Sequence, residues 1–380
     1  MSAYIHERQD WPGFRWDQER VAGRLAAVRH RQGRLIGRME AMGFSLRAEA
    51  VLHTLTLDVL KSSEIEGEIL DKVQVRSSIA RRLGMDIGAL APVSRNVDGV
   101  VGMMLDATQN YEKPLTRERL FGWHASLFPT GYSGMSKIKV AAWRDDAKGP
   151  MQVVSGPIGR EYVHFEAPPA DRLEKEMAAF LDWFNDDDGT DLVLRACIAH
   201  LWLVTIHPFE DGNGRLGRLL VSLLLVDWRL LPLPLLYLSA YLERHREGYY
   251  DLLYGVSSRG NWREWLTFFL TGVIEQAQDA TEMAARLTDI EESWRQRLLG
   301  ARASALAQRL ADSLFRMPVL SVTDAAKVLG VSYQTARYNV QKLVEAGILR
   351  PFGAEQHGKR YIGHDIFDLV VERGEDTASG

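Results

Sequence analysis

The sequence predicts a mostly α-helical protein with one short β-hairpin and a C-terminal winged helix-turn-helix. Apolar residues recur at helical spacing in several segments, and few segments alternate. Between Val153 and Phe165, two short apolar runs flank a Gly-Pro-Ile-Gly turn, which indicates a hairpin. From Ala301 onward the pattern is helix, turn at Gly330, helix and two short strands. That order is typical of a winged helix-turn-helix.

The N-terminal part of the chain predicts two long helices. After an aromatic-rich start, residues 16–42 form one amphipathic pattern with Asp17 near its beginning. A second pattern starts at Ser45 and ends near Gly67, as a helix C-terminus often does. Shorter helices are expected through residues 70–84.

Two further helices are expected after Pro168-Pro169, over residues 171–185 and 191–205. The second is apolar on almost every side, so we expect it to be buried all round. Its single cysteine, Cys197, is the only one in the chain, which excludes an intramolecular disulfide and favours a buried, inert thiol. The acidic run at 186–188 is typical of a solvated loop.

Composition and charge limit the classes of function. The 380 residues are 46% hydrophobic and 25% charged, as in globular proteins, and the formal net charge is -4. No protein-wide basic field therefore indicates nucleic acid or an anionic membrane as partner. The N-terminus lacks a secretory pattern, and the most apolar stretch, residues 219–238, is interrupted by charges and prolines. We expect a cytoplasmic protein without a membrane partner.

The most informative stretch is residues 206–220, IHPFEDGNGRLGRLL, whose glycines spell G-x-G-x-x-G. A dinucleotide site would need a strand before it and an acidic residue about 20 positions later. A helical pattern precedes it, and the following LPLPLLYLS has no carboxylate. A calcium loop starting at Asp211 would need glycine and glutamate where Leu216 and Ser222 stand. Both interpretations are disfavoured.

A loop that opens a helix around an anion fits this stretch better. Gly212 and Gly214 let backbone amides approach a phosphate at a helix N-terminus. Arg215 and Arg218 share one helical face and suit phosphate oxygens. Asp211 can hold Mg²⁺ on the same phosphates, and His207 has the pKa range of a general base. Taken singly, each residue also has a structural explanation, but together they favour phosphoryl or nucleotidyl transfer.

Residues 207–218 resemble the signature of Fic-domain proteins, H-P-F-x-[D/E]-G-N-G-R-x-x-R, at every defined position. Upstream, Ser62-Ser63-Glu64-Ile65-Glu66-Gly67 resembles the inhibitory motif of that family, [S/T]-x-x-x-E-[G/N]. The resemblance implies a Fic domain over residues 45–280, with an inhibitory helix at about 45–67 and a hairpin flap at about 151–166. An N-terminal helical segment (1–44), a connecting helix (281–310), a winged-helix domain (311–372) and a tail (373–380) complete the predicted organisation.

The resemblance implies transfer of AMP from ATP to a Ser, Thr or Tyr hydroxyl of a target protein, with release of pyrophosphate. His207 would deprotonate the hydroxyl, and Asp211 would hold Mg²⁺. Asn213 and the amides of Gly212 and Gly214 would stabilise the transferred group. Arg215 and Arg218 would bind the outer phosphates. Leu216 and Gly217 complete the implied nucleotide-binding segment.

The same resemblance implies roles for residues outside the signature. Val153, Val154, Ser155 and Gly156 match the flap edge that binds the target by strand addition, close to the nucleotide. Tyr249 and Tyr250 match the aromatic pair that walls the adenine, although tyrosines on an amphipathic helix also suit a core. Within the inhibitory motif formed by Ser62, Glu66 and Gly67, the glutamate would pair with Arg218 and deny it to the γ-phosphate.

The C-terminal segment leaves DNA contact and protein docking open. Between Ala301 and Asp365 basic residues outnumber acidic ones by nine to five, which suits phosphate contact. The predicted recognition helix offers polar groups that suit base edges: Ser332, Gln334, Thr335, Arg337 and Asn339. Two rival functions remain: a DNA-binding regulator whose Fic core only senses nucleotide, and an enzyme that removes AMP with Glu66 positioning water. Target protein, modified residue and oligomeric state, a homodimer included, stay open.

Overall fold

The computed structural model describes residues 4–42, 44–85, 92–147, 149–155, 160, 162–226, 237–260, 262–301, 303–315, 317–352 and 359–371. Up to residue 172 it contains a 3-10 turn (Ile5–Glu7), α1 (Gln18–Ala41), α2 (Phe44–Ile65), α3 (Lys72–Arg82), α4 (Arg95–Gln109), α5 (Arg117–Leu127), β1 (Tyr132–Ser133), β2 (Ser136–Lys137), β3 (Gln152–Ser155), β4 (Tyr162–Glu166) and a 3-10 turn (Ala170–Arg172). There follow α6 (Leu173–Asn185), α7 (Leu192–Ile206), α8 (Asn213–Val226), α9 (Leu238–Arg244), α10 (Arg246–Arg259), α11 (Trp262–Gly300), α12 (Ala305–Ser313), β5 (Val319–Ser321), α13 (Val322–Leu329), α14 (Tyr333–Glu345), β6 (Leu349–Phe352), β7 (Arg360–Gly363) and α15 (His364–Val371). The prediction of a mostly helical protein is confirmed.

The chain divides into two compact units. Unit 1 consists of 1–33, 54–75 and 93–278, and unit 2 consists of 34–53, 76–92 and 279–380. The N-terminal residues 1–44, predicted as one segment, therefore contribute to both units. The predicted connecting helix, 281–310, is part of α11 followed by α12, with the helical pattern interrupted between Gly300 and Ala305.

Helix α7 lies at the centre of unit 1, as its continuous apolar sequence predicts. Asp191 begins it by accepting a hydrogen bond from the Val193 amide (2.9 Å), and residues around the helix are buried. Burial raises the pKa of the Cys197 thiol well above its usual value, so this cysteine stays protonated. Helix α8 packs closely on α7, since a Cβ at Gly217 would lie 2.8 Å from Nδ1 of His200.

Unit 1 contains the predicted hairpin and a second hairpin that we did not anticipate. Strands β3 and β4 pair antiparallel from Gln152↔Glu166 to Ser155↔Tyr162, with an irregularity between Val153 and Val154. The unanticipated hairpin is β1–β2, where Ser133 pairs with Ser136. Its strands are two residues long, so they carry no detectable alternation.

Unit 2 contains α12, α13 and α14 beside an antiparallel sheet of order β5-β7-β6. Ser321 starts α13 with a reciprocal capping box to Asp324, and Gly330 ends that helix with a positive φ of 68°. The predicted helix, turn, helix and two strands are present in this order, and a third strand, β5, precedes them. The assignment as a winged-helix domain stays a prediction. In the described part of the chain, no helix combines the length and hydropathy needed to cross a bilayer.

Candidate functional site

The loop from α7 to α8 is closed by the side chain of Asn213. Its Oδ1 accepts from the Phe209 amide (3.0 Å), and its Nδ2 donates to the Phe209 carbonyl (2.9 Å). The Phe209 ring is fully buried and stacks on His124, with 4.2 Å between ring centroids. Both polar groups of the predicted phosphate ligand Asn213 are therefore engaged inside the loop.

His207 leaves α7 in the left-handed region, with φ 53° and ψ 56°. Its ring Nδ1 lies 3.2 Å from the Val204 carbonyl, which places the proton of the neutral ring on Nδ1 and leaves a lone pair on Nε2. Burial lowers the pKa of His207, and the Arg144 charge acts in the same direction, whereas Asp211 and Glu66 oppose it. A neutral imidazole with a free Nε2 is the state that a general base needs.

Asp211 is held from three sides. Its Oδ2 accepts from the Ser133 hydroxyl of β1, and its Oδ1 accepts from the Gly212 amide (2.5 Å). Its carbonyl accepts from Nε2 of His124 (3.1 Å), whose Nδ1 accepts from the Ala141 amide (3.1 Å). Burial lowers the pKa of His124, which keeps that ring neutral in this role.

The single carboxylate fits Mg²⁺ only in combination with substrate oxygens. Within the described residues no group of three or more His, Cys, Asp or Glu side chains is placed to hold a metal ion. Mg²⁺ in phosphate-binding sites is commonly bound by one or two carboxylates plus phosphate oxygens and water. Asp211, which is half-buried, is compatible with that arrangement.

Glycines open the N-terminus of α8 to an anion. Gly212 has a positive φ of 85°, and a Cβ there would lie 3.0 Å from the Phe128 ring. A Cβ at Gly214 would overlap Oε1 of Glu66. The anion that lies against the first turn of α8 in this structure is therefore the Glu66 carboxylate, at the end of a helix that favours negative charge.

Arg218 is buried beneath this carboxylate. Its Nη2 donates to Oε1 of Glu66 (2.7 Å) and to the Ser62 carbonyl (2.9 Å), and its Nε donates to the Ser62 hydroxyl (3.0 Å). The side chain is 2% exposed. Its Nη1 is buried without a hydrogen-bond acceptor among the described residues.

Arg215 is paired in the same way by a residue that sequence reasoning missed. Its Nη1 donates to Oε2 of Glu68 (2.7 Å), and its guanidinium lies 5.0 Å from the centre of the Phe128 ring. The other oxygen of Glu68 accepts from Nδ2 of Asn96 on α4. Both arginines of the stretch therefore carry a carboxylate partner.

Comparison with known proteins finds two family matches in this chain. Residues 114–225 match the Fic/DOC family, and residues 4–85 match a domain of unknown function, DUF4172.

The chain contains a Fic domain.

A protein adenylyltransferase Fic of Nematostella vectensis is 36% identical over 110 residues, or 28% of this chain and 24% of that protein. A probable protein adenylyltransferase of Aquifex aeolicus is 32% identical over 83 residues, covering 22% of this chain and 26% of that protein. The matches thus span about a quarter of these relatives. The crystal structure of a Fic family protein from Desulfovibrio desulfuricans covers 92% of this chain and 97% of its own, with a TM-score of 0.53 and 23% identity. That likeness supports the fold.

The remaining predicted residues of the Fic domain lie in several environments. Leu216 is fully buried in the core, Gly217 packs on His200, and Gly67 follows α2 with a positive φ of 80°. Tyr249 is 1% exposed, and its hydroxyl lies 3.0 Å from Nε2 of His200. Tyr250 is half-buried and donates to the Ile65 carbonyl (3.4 Å), next to Glu66. Tyr250 thus borders the end of α2 where Glu66 follows, and the charges of Glu66 and Arg218 also act on the hydroxyl of the buried Tyr249.

The predicted flap residues Val153, Val154 and Ser155 belong to β3, and Gly156 lies outside the described residues. Val154 is 46% exposed. An open groove of about 590 Å³ lies between this hairpin and β1–β2, lined among others by Lys137, Val154 and Glu210. The β3–β4 hairpin, which we predicted to be a flap, thus shares this groove with Glu210 of the loop that carries His207 and Asp211.

Four residues that support the site were not found from the sequence: Glu68, His124, Ser133 and Arg144. Glu68 had a local signal, since it lies two residues after Glu66 in the same turn. The others are distant from the signature along the chain, and nothing in their own neighbourhoods marks them.

Proposed function

We propose that this protein transfers AMP from ATP to a Ser, Thr or Tyr hydroxyl of a target protein and releases pyrophosphate. The observation that carries the proposal is the position of the His207 imidazole on the loop that leads into the glycine-rich N-terminus of α8. Its Nδ1 is hydrogen-bonded to the Val204 carbonyl, and its Nε2 is free to accept a proton. The relatives named protein adenylyltransferase support the same reaction.

In the proposed step, the hydroxyl oxygen forms a bond to the α-phosphorus of ATP. The bond from that phosphorus to the bridging oxygen breaks, and pyrophosphate leaves with the electron pair. Nε2 of His207 takes the hydroxyl proton. Its lowered pKa supports this role because the ring is neutral, and therefore able to accept a proton, at physiological pH.

The triphosphate is proposed to bind at the N-terminus of α8. The phosphate oxygens would accept hydrogen bonds from the backbone amides of the first turn of α8 and from the side chains of Arg215 and Arg218. Nη1 of Arg218 is buried without a hydrogen-bond partner among the described residues and would be one of these donors. Asn213 acts by holding the loop shape through Phe209. Asp211 would hold Mg²⁺, which when bound neutralises phosphate charge during the transfer.

The target protein is proposed to add a strand along β3 of the flap. Main-chain pairing aligns a hydroxyl without regard to most neighbouring side chains. The exposed Val154 and the open groove beside it support this location.

Autoinhibition by Glu66 is part of the proposal. Its carboxylate lies against Gly214 and pairs with the buried Arg218, so it takes the position and the partner proposed for phosphate. Removing the carboxylate should free both for the γ-phosphate.

The test is labelling of a lysate with ATP that carries ³²P at the α-phosphate, together with mass spectrometry. The Glu66→Gly variant should label proteins with one adenylyl group, wild type should label them weakly, and Glu66→Gly/His207→Ala should not. Equal labelling by wild type and Glu66→Gly would reject autoinhibition, and phosphate without adenosine on targets would reject AMP transfer. Release of AMP from labelled targets by wild type would instead identify the removal reaction.

We infer a second function for unit 2, contact with duplex DNA. The exposed face of α14 carries Arg337 between two exposed tyrosines, Tyr333 (52%) and Tyr338 (59%), a composition suited to phosphates and bases. Asn339 is not on this face, because it is 1% exposed and bonded to Ser304 and Thr335. Fluorescence anisotropy with a random duplex tests this: Arg337→Ala should weaken binding and reduce its salt dependence. Absence of binding at low salt would reject it.

A further inference from the structure

The base proposed above depends on an unusual backbone conformation. His207 is one of two non-glycine residues with positive φ in the described part of the chain. Such a conformation persists only where surrounding contacts hold it. It turns the chain sharply at the end of α7 and thereby sets the direction of the imidazole.

Arg144 holds this turn from its far side. Its Nε donates to the His207 carbonyl (2.8 Å), and its backbone amide donates to the Pro208 carbonyl (2.9 Å). The side chain is 0% exposed. Two consecutive carbonyls of the turn are therefore fixed by one residue.

The other donors of Arg144 reach the base of the flap hairpin. Its Nη2 donates to the carbonyl of Pro168, two residues after β4, at 2.6 Å. Its Nη1 donates to Oδ1 of Asp146 (3.0 Å), whose Oδ2 accepts from the Ala170 amide (2.7 Å). One planar guanidinium thus connects the turn of His207 with the segment that ends the flap.

We propose that Arg144 is a positioning residue that fixes the His207 base relative to the hairpin on which the target hydroxyl is presented. The inference rests on the proposed function for its chemical meaning. A guanidinium is needed because three acceptors lie in three directions, which a single ammonium on a flexible stem does not satisfy in the same plane. Loss of Arg144 leaves the nucleotide-binding groups of α8 in place and disturbs the angle between base and acceptor.

The charged groups that act on His207 are Arg144, Asp211 and Glu66. Arg144 is the one that disfavours the protonated ring, and the two carboxylates favour it. Replacing Arg144 by a neutral residue should therefore raise the pKa of His207 and move the acid limb of activity to higher pH. A defect of general packing would not produce that displacement.

The experiment compares Arg144→Gln with Arg195→Gln, both in the Glu66→Gly background. Arg195 is a matched control, since its buried guanidinium also bonds a carboxylate, Asp188, and two backbone carbonyls, but contacts nothing in the His207 loop. Arg144→Gln should lower kcat on the order of a hundredfold, with KM for ATP and the Kd of a non-hydrolysable ATP analogue nearly unchanged. Arg195→Gln should lower thermal stability without a selective loss of kcat.

A second variant, Asp146→Asn, and an NMR measurement on His207 test the same role. If Arg144→Gln does not fold, Asp146→Asn removes one of the two acceptors that serve Nη1 of Arg144 and the Ala170 amide, and it should give a smaller loss of kcat, again without a change in ATP affinity. Nitrogen NMR of the His207 ring in wild type and variant reports its tautomer and pKa even if no transfer is detected. An unchanged tautomer and pKa, or equal kcat losses in the Arg144 and Arg195 variants, would overturn the positioning role. Absence of transfer in the Glu66→Gly parent alone would reject only the proposed function.

Discussion

Glu68 forms an ion pair with Arg215, with 2.7 Å between the carboxylate oxygen and the guanidinium nitrogen. Glu66, two residues earlier in the chain, forms an ion pair of the same length with Arg218. Two neighbouring carboxylates therefore neutralise both arginines proposed to bind phosphate. Because each arginine has its own carboxylate partner, both pairs should oppose nucleotide binding.

The first prediction concerns this double pairing. Glu66→Gly and Glu68→Gln should each tighten binding of an ATP analogue by about tenfold, or ~1.4 kcal/mol, and the double variant should bind more tightly than either single variant. Isothermal titration calorimetry at fixed ionic strength measures them. Glu64→Gln is the control, since Glu64 pairs with Lys61 (2.6 Å) on the same helix. A double variant that binds no tighter than Glu66→Gly would show that Glu68 does not compete with nucleotide.

The second prediction concerns the stability of the buried His200. Burial lowers its pKa to about 3, whereas the unfolded ring titrates near 6.5. The stability from this group is complete above pH 6.5 and is lost as the pH falls from 6.5 towards 3, because the unfolded state takes up the proton first. Between pH 7 and pH 5 the loss should be about 2 kcal/mol.

Urea unfolding of wild type and His200→Gln at both pH values measures this contribution. The variant should lose about 2 kcal/mol less than wild type over the same interval, even if it is less stable throughout. Parallel losses in the two proteins would mean that His200 is protonated without penalty in the folded state.

The third prediction concerns Ser133, which donates to Asp211. Ser133→Ala should weaken the dependence of ATP binding on Mg²⁺, raising the half-saturating Mg²⁺ concentration several-fold, because the carboxylate loses one constraint on its orientation. Calorimetric titration at graded Mg²⁺ reports this without an activity assay. Ser136→Ala, on the opposite strand of the same hairpin and exposed, serves as the control and should leave the dependence as it is.

The fourth prediction concerns the contact between α7 and α8. Gly217→Ala should destabilise the protein by about 1–3 kcal/mol, since the added methyl meets His200 at 2.8 Å. Gly122→Ala in α5 has open space around it and should instead be neutral or stabilise by up to ~1 kcal/mol. Differential scanning calorimetry should show a lowered Tm for Gly217→Ala and an unchanged or raised Tm for Gly122→Ala, and equal Tm values for the two variants would contradict this prediction.

The features that could be predicted from the sequence are those whose pattern lies within one short stretch of the chain. The apolar sequence of α7 and the two runs of the β3–β4 hairpin are readable from periodicity, and the signature over 207–218 is contiguous. The supporting groups are different in kind. His124, Ser133 and Arg144 reach the loop from other elements, and only the folded chain reveals their hydrogen bonds.

The sequence also does not show which polar side chains already have partners within the protein. Asn213 is predicted to contact phosphate and Asn339 to contact DNA, and both amides are buried and bonded to the protein itself. The sequence pattern of a helix does not show whether a polar side chain in it bonds solvent, a ligand or the backbone. That choice depends on tertiary packing, which no local pattern records.

The two hydrogen bonds between the Asn213 side chain and the Phe209 backbone restrict which residues can replace Asn213. The side chain must offer one acceptor and one donor at the same time, as a neighbouring β-strand would. An aspartate would bring a second oxygen up to a carbonyl, and a glutamine would overshoot by one methylene. The shape of the loop proposed to carry the base thus depends on an amide side chain of one particular length.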